Sequence, residues 1–435
     1  MRPKIIVLDD DPTGSQTVHS CLLLTRWDGD TLRLGLADDS PIFFILTNTR
    51  AMDAERAEAV TFEVCHNLKE ALVGFDRPVL YVSRSDSTLR GHYPVETDVM
   101  AKVLGPFDAH FLIPAFFEGG RFTVRGIHYV RIGDKAVPAH ETEFAKDSVF
   151  GYQHSYLPAY VEEKTHGRIR ADEVVHFALE EIRSGATYDK LMNLIDNACC
   201  VVDAERQQDL DMFADEVLTA VEHGKRFLFR SAASWLTALT RLPPQPVPPE
   251  RMGQYVKEGR PGIVVVGSHV KKTTEQLDRL LQEPGIVPVE VDVTLLPEKG
   301  ESLLEDIVSR VLAAHQAGNT PVVYTSRVER HFPDTNARLR FGEQVSDFLM
   351  SVVHRLPPTI GFVISKGGIT SNDMLAKGLK LAAARIVGQI LPGCSVVLTP
   401  PDHPHLPGVP VVIFPGNVGD ESGLATVYNR LRNPS

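Results

Sequence analysis

The chain has 435 residues, a formal net charge of -11 and 43% hydrophobic residues. That balance excludes a general nucleic-acid binder, which needs a basic surface, so an anionic ligand must find a local cluster of arginines and backbone N–H groups. No apolar run reaches the roughly 18 residues that span a bilayer, and Met1-Arg2-Pro3-Lys4 leads into a strand without a signal-peptide apolar region, so no membrane partner and a cytoplasmic location are expected.

The length favours two domains over a single core. Five cysteines, Cys21, Cys65, Cys199, Cys200 and Cys394, show no CxxC pair or zinc spacing, which predicts packed, reduced thiols.

The first stretch, Lys4-Ile5-Ile6-Val7-Leu8-Asp9-Asp10-Asp11-Pro12-Thr13-Gly14, reads as a buried parallel strand that delivers three carboxylates to its C-terminal edge. Open α/β sheets place ligands at that edge. Adjacent acids repel one another, so a cation, arginines or raised pKa values must relieve them. Strands are predicted at Ile42 to Leu46, Val79 to Ser83, His110 to Ile113 and Cys199 to Asp203, with helices at Ala54 to Leu72, Glu173 to Arg183 and Leu210 to His223. Such alternation implies a mostly parallel sheet covered by helices.

The run Leu242-Pro243-Pro244-Gln245-Pro246-Val247-Pro248-Pro249 predicts a stiff extended connector, because proline can continue neither a helix nor a central strand. The expected division is therefore 1–242, a linker over 243–260, and 261–435. Beyond it, strands are predicted at Ile263 to Val266, Val287 to Val293, Pro321 to Thr325, Thr359 to Ser365, Gly408 to Val411 and Val412 to Phe414, and helices at Thr274 to Gln282 and Leu303 to Ala317.

Polar clusters follow the predicted strands of the first half. Ser83-Arg84-Ser85-Asp86-Ser87-Thr88-Leu89-Arg90-Gly91 is a donor-rich loop able to hold a carboxylate and several hydroxyls, with arginine supplying a bidentate fork. The same residues also read as a capped helix start with Ser87 or Thr88 as N-cap. Pro114-Ala115-Phe116-Phe117-Glu118-Gly119-Gly120-Arg121 leads on to His128. In a parallel sheet this cluster joins the others on one edge, making Arg121 and His128 candidate substrate contacts; a satisfied hairpin histidine is the other reading.

The second half holds three strand, glycine-turn, helix junctions, at Val266-Gly267-Ser268, Lys366-Gly367-Gly368-Ile369-Thr370 and Phe414-Pro415-Gly416-Asn417. Glycine lets a backbone approach phosphate, and three such turns in one half point to a nucleotide site. There is no GxxxxGK[ST], so it is not a Walker P-loop.

These motifs in this order, Asp10-Asp11-Pro12-Thr13-Gly14, Asp86-Ser87-Thr88-Leu89-Arg90-Gly91, Pro114-Ala115-Phe116 with Gly120-Arg121, Gly367-Gly368-Ile369-Thr370-Ser371 and Gly416-Asn417-Val418-Gly419, resemble the four-carbon acid sugar kinase family over nearly the whole chain. The resemblance implies an α/β protein of two domains, each a mostly parallel sheet flanked by helices, with the active site in the interdomain cleft. It further implies ATP-dependent phosphorylation of the terminal hydroxyl of a small sugar acid such as threonate, erythronate or 3-oxo-tetronate.

Carried over, Asp10 and Asp11 stand at the reaction centre and Asp86, Arg90 and Arg121 around the acid, and the loop and sheet edge add Ser87 and His128 as candidate contacts. Ser268, Gly367, Gly368, Ile369, Thr370, Gly416 and Asn417 stand around ATP. Mg²⁺ accompanies ATP, with no protein ligand assigned to it. The chain departs from the family pattern at Pro12, Val266 and Pro415, the last two replacing serine hydroxyls in the nucleotide turns. A homodimer is the commonest assembly for such an enzyme.

Two rivals come from other classes. Asp9, Asp11, Thr13 and Gly14 also satisfy the DxDxTG pattern of haloacid-dehalogenase phosphatases, in which the first Asp is the nucleophile. That reading leaves the Asp86 to Gly91 loop and the glycine-turn half without a task. A non-catalytic sensor of sugar acids is the other.

Overall fold

The computed structural model describes residues 2–327 and 335–432. It divides into two compact units, Met1–Pro243 and Pro244–Ser435.

The strands of the first unit are β1 (Lys4–Asp9), β2 (Cys21–Leu24), β3 (Ile42–Leu46), β4 (Val79–Arg84), β5 (Ala109–Ile113), β6 (Arg121–Val124), β7 (Ile127–Ile132), β8 (Lys135–Pro138), β9 (Val175–Phe177), β10 (Ala198–Val202) and β11 (Phe227–Ser231). Eight of them lie in the order β2-β3-β1-β4-β11-β5-β10-β9, every neighbouring pair parallel. The remaining three form a separate antiparallel meander, β6-β7-β8.

Helices cover this sheet because their apolar residues recur on one face. The helix Ala54–Ala71 buries Ala57, Thr61, Val64, Cys65 and Leu68, and Asp53 caps its start by accepting from the Arg56 N–H at 2.8 Å. Behind the sheet, Phe111 meets Phe177, Phe213, Phe227 and Phe229 in one aromatic cluster. All five cysteines are buried free thiols.

Topology places the site. β1 lies between β3 and β4, with Asp9 paired to Leu46 on one side and Arg84 on the other. The chain runs from β1 outward to β2 and β3, then returns to β4 on the opposite flank of β1. The strand order therefore reverses at β1, and loops leaving the C-terminal ends diverge there into a crevice.

In the second unit β12 (Ile263–Val266), β13 (Ile286–Val291), β14 (Thr320–Thr325), β15 (Val363–Lys366), β16 (Ala383–Leu391), β17 (Cys394–Leu398) and β18 (Pro410–Phe414) follow the order β13-β14-β12-β15-β18-β17-β16. The run from β13 to β18 is parallel, and β17 pairs antiparallel with both β18 and β16.

Three expectations change. Residues 173–183 are not one helix: Val175–Phe177 is a strand added to β10, and a helix begins only at Leu179. The short apolar run Val174 to Phe177 carries no periodicity that separates strand from helix, and the free flank of β10 decides it. Over 408–414 there is a single strand, Pro410–Phe414, rather than two.

The third change concerns the stretch predicted as a stiff extended connector, of which Pro249–Tyr255 is a 3₁₀ helix. Val247, between its prolines, and Met252 and Val256, just beyond them, enter the second unit's core, Met252 with no exposure. Gln245 ties it down further, donating to Gln389 O at 3.0 Å and accepting from Gln389 N at 2.9 Å. No helix among the described residues is long and apolar enough to cross a membrane.

Candidate active site

The acidic tip of β1 is held by Arg84, which ends β4, and by Arg50, in the 3₁₀ turn that follows β3. Asp10 accepts from both arms of Arg50, Nε at 3.2 Å and Nη2, and from Ser85 Oγ at 2.7 Å. Asp11 accepts from the backbone N–H of Thr13 at 2.8 Å and from its hydroxyl, with Arg50 Nη1 at 3.5 Å. Asp9 is fully buried; Arg84 Nη1 lies 3.4 Å from its Oδ1, and its Oδ2 has no partner.

Asp9 and Asp11 therefore differ in charge state. Burial, with Asp10 and Asp11 nearby and only partly opposed by Arg84, pushes the Asp9 carboxyl up to about 8. Burial acts on Asp11 in the same direction, but Arg50, Arg84 and the Thr13 hydrogen bonds outweigh it and hold its pKa low. Asp11 is the most open of the three, its side chain 20% exposed. One carboxyl is neutral and structural, one is clamped by arginine, and one is ionised with access to a ligand.

The loop after β4 is fastened by its backbone carbonyls. Ser87 O accepts from His128 Nε2 at 2.7 Å, Thr88 O from the Tyr152 hydroxyl at 2.8 Å, and Leu89 O from the Tyr160 hydroxyl at 3.0 Å. Leu89 and Gly91 adopt positive φ of 68° and 136°, so the loop is not a helix start, and the next helix begins only at Val95. A carbonyl can only accept, so His128 is the Nε2–H tautomer and its Nδ1 accepts from Thr123 Oγ1 at 2.9 Å. Burial lowers its pKa to about 4.

With both ring nitrogens used inside the protein, His128 and the Ser87 carbonyl shape the loop rather than face a ligand. His128 stands in the β6/β7 hairpin with both ring nitrogens partnered.

What this loop presents is Asp86 with two arginines. Asp86 accepts from Arg90 Nε at 2.7 Å and from the Thr88 hydroxyl; despite burial, Arg50 and Arg90 keep it ionised, far below the usual carboxylate range. Arg90 lies 5.2 Å over the Phe144 ring and Arg121 5.9 Å from the same ring. Arg121 donates through Nη1 to Gly119 O, and its buried Nε has no partner. Burial lowers the Arg121 pKa, a sign that this guanidinium lacks a fully compensating anion. A recess of about 30 Å³, room for about two waters, opens beside Asp86 and Arg90 and is lined also by Tyr93, Tyr160, Arg230 and Ser231.

Sequence reasoning missed the groups beneath these. Arg230, on β11, donates to Glu96 Oε2 at 2.6 Å, to Ser83 Oγ at 2.6 Å and to Ser85 Oγ at 2.8 Å. Thr49 Oγ1 donates to Glu96 Oε1 at 2.5 Å. Glu96 thus anchors Arg230, which orients the Ser85 hydroxyl that donates to Asp10. Arg50 was detectable in principle, since it stands just past the C-terminal end of β3, which flanks β1 on the side opposite Arg84. Arg230 and Glu96 lie far from the motifs in sequence and carry no local signal.

In the second unit β12, β15 and β18 are adjacent, so their three glycine turns meet. The Gly267 N–H donates to Lys366 O at 3.3 Å and the Gly367 N–H to Phe414 O at 2.8 Å. Thr273 Oγ1 reaches both Ser268 Oγ, at 3.2 Å, and Gly416 O, at 3.3 Å. A β-carbon on Gly267 would overlap the Thr370 hydroxyl, and one on Gly367, whose φ is 120°, would sit 3.0 Å from Ser268 Cβ. Side chains at these glycines would fill the cradle they enclose. Ser268, Gly367, Gly368, Thr370 and Gly416 are thereby gathered, while Ile369 projects outward at 64% exposure and Asn417 is exposed at the rim.

Comparison with known proteins agrees with this division. Residues 5–239 match the model of a family described as a sugar-binding N-terminal domain, and residues 263–424 that of a nucleotide-binding C-terminal domain. The chain is 26% identical over 331 residues to a D-erythronate kinase of Heliobacterium modesticaldum, covering 71% of this chain and 67% of the relative. It is 32% identical over 165 residues to a D-threonate kinase of Bordetella bronchiseptica, covering 36% of this chain and 38% of that one.

Two solved structures share the fold: a Haemophilus influenzae protein from a family of unknown function (TM-score 0.66, 17% identity, 98% of this chain and 100% of that one), and a Salmonella typhimurium protein provisionally named a tRNA synthase (TM-score 0.72, 19% identity, 99% and 98%). The chain belongs to the four-carbon acid sugar kinase family, with a sugar-binding N-terminal domain and a nucleotide-binding C-terminal domain.

Proposed function

We propose that the protein transfers the terminal phosphoryl group of ATP to the terminal hydroxyl of a four-carbon sugar acid of the threonate, erythronate or 3-oxo-tetronate type. The observation that carries this reading is the presence, within the first unit, of an ionised and accessible Asp11 beside Arg50 and of two further arginines at the Asp86 loop, Arg90 and Arg121, of which Arg121 is short of an anionic partner.

In this reading Arg90 and Arg121 grip the acid's carboxylate and Asp86 accepts from its hydroxyls. Asp11 orients the acceptor hydroxyl and takes its proton as the bond to phosphorus forms. Asp10, neutralised by Arg50, holds the tip in place. The glycine cradle of the second unit holds the nucleotide phosphates through backbone N–H groups, with the Ser268 and Thr370 hydroxyls beside them. Little covalent chemistry falls to the protein; positioning and charge neutralisation carry the acceleration.

Mg²⁺ bound with the nucleotide would neutralise developing charge, and the ionised carboxylate of Asp11 is a hard oxygen donor that would suit such an ion. Among the described residues no group of three acid, histidine or cysteine side chains is arranged to hold a metal, so the ion would be held chiefly by the nucleotide and water.

The phosphatase alternative requires Asp9 to attack phosphorus. Asp9 is fully buried beneath Gly14, so a substrate could not reach it without displacing the turn.

A coupled assay of ATP consumption against a panel of C4 and branched sugar acids tests the proposal. Turnover is expected with at least one tetronate and no phosphate release from phosphate monoesters. The reverse pattern would establish the hydrolase, and thermal stabilisation by an acid without ATP turnover would establish a sensor.

A further inference from the structure

Lys366 ends β15 and immediately precedes Gly367, where a lysine would ordinarily be expected to reach for phosphate. It has no exposure at all. Its ammonium donates to Pro415 O at 2.6 Å and Gly416 O at 3.2 Å and lies 4.1 Å from the centre of the Phe414 ring. An ammonium has three N–H donors. Two are taken by carbonyls and the cation faces an aromatic ring, so nothing remains to meet a nucleotide. Burial lowers its pKa to about 7, with Cys394 opposing the shift and Lys272 adding to it.

The consequence lies in the peptide units it holds. A trans peptide is planar with its C=O and N–H pointing in opposite directions, and neither the Pro415–Gly416 nor the Gly416–Asn417 bond is cis. Drawing the Pro415 and Gly416 carbonyls toward Lys366 therefore turns the N–H groups of Gly416 and Asn417 to the opposite side. Thr273 pulls the Gly416 carbonyl as well, at 3.3 Å, and the Gly367 N–H ties the base of the same turn to Phe414 O at 2.8 Å.

We infer that Lys366 is a positioning residue for the nucleotide phosphates, acting by aiming the Gly416 and Asn417 N–H groups into the cradle and not by contact with phosphate. The inference rests on the nucleotide reading of the second unit given above. It assigns the lysine of the Lys366-Gly367-Gly368 turn a role opposite to that of a P-loop lysine, which grips phosphate directly. It also explains how the turn is held although Pro415 stands where a serine hydroxyl could have served.

The full-length protein tests it by calorimetric titration with ADP and Mg²⁺ and by steady-state kinetics. Lys366→Met should weaken ADP binding at least tenfold and raise the KM for ATP by a similar factor, while the KM for the acid stays within twofold of wild type. ADP affinity within twofold of wild type in this variant would overturn the inference, as would equal rises in both KM values, the mark of a merely loosened fold.

Amine-reactive labelling of the unaltered protein gives a measurement that does not depend on the variant folding. Lys366 should resist modification with and without ADP while the exposed Lys271 reacts; a Lys366 that labels freely and becomes shielded by ADP is a direct phosphate ligand. Failure of the wild-type protein to bind ADP at all would overturn the nucleotide reading itself, an outcome distinct from normal wild-type binding that survives Lys366→Met.

Discussion

Gly14 is stacked so closely on the Asp9 carboxyl that a β-carbon added to it would overlap both carboxylate oxygens. The turn that carries Asp11 is thus folded down over a buried acid that burial keeps protonated, at a pKa of about 8. This arrangement yields the first expectation. In the unfolded chain Asp9 ionises near 3.8, so between about pH 4 and pH 8 the unfolded state releases a proton that the folded state keeps. Stability falls as pH rises through that window. Asp9→Asn carries no such proton: its melting temperature relative to wild type should rise from pH 5 to pH 8, and kinase turnover should survive. A constant difference across that range would show that Asp9 is charged in the folded protein, and complete loss of activity in a folded variant would reopen the nucleophile reading.

Asp11→Asn keeps the turn's hydrogen-bonding shape but removes the proton acceptor. Turnover should drop about 10²- to 10⁴-fold, the range of general-base catalysis, with ADP affinity unchanged by calorimetry. Near-normal turnover would move the base elsewhere.

Arg90 is paired with Asp86 at 2.7 Å and lies against Phe144. Arg90→Ala should raise the KM for the acid at least tenfold, about 1.4 kcal/mol or more, against less than a threefold change for ATP. Initial rates with each substrate varied in turn measure the contrast, and equal changes would place Arg90 outside the acid site.

His128 makes an acid-side expectation of opposite sign. Its folded pKa is lowered from 6.5 to about 4 by burial, so the unfolded chain takes up a proton between those values and the folded chain does not. Stability is full above about 6.5 and falls toward pH 4, by on the order of 3 kcal/mol. Replacing it by Asn, which keeps a donor and an acceptor without titrating in this range, should flatten the loss seen by urea denaturation between pH 7 and pH 5. An unchanged slope would mean the acid sensitivity arises elsewhere.

Glu96 and Arg230 form a buried pair at 2.6 Å beneath Ser85. Glu96→Ala leaves the guanidinium uncompensated, at a cost of about 3–5 kcal/mol. Chemical denaturation should register that loss, and turnover should fall as Ser85 ceases to hold Asp10. A cost below about 1 kcal/mol would show that Arg230 finds water or another acid.

Local chemistry in the sequence was enough for much of this. The apolar runs of β1, β3 and β12 have the composition of strands buried on both faces, and the residues just past them are polar because the C-terminal edge is where the sheet stops excluding water. The glycine turns were legible because no other residue tolerates their close approaches. The hairpin of β16 and β17 went unread although Pro392-Gly393 marks its turn, since the flanking runs also suit a helix.

Other features belong to three dimensions alone. That Asp9 is neutral while Asp11 is charged follows from which acid the Gly14 turn covers, and that His128 serves the loop follows from the position of the Ser87 carbonyl. The same holds for Arg230 beneath Asp10 and for Lys366 turned onto Pro415 and Gly416. Burial and charge pairing are properties of neighbours brought together from distant parts of the chain. Residue order names the groups that can ionise or donate; the packing around each one determines whether it faces a ligand or the protein itself.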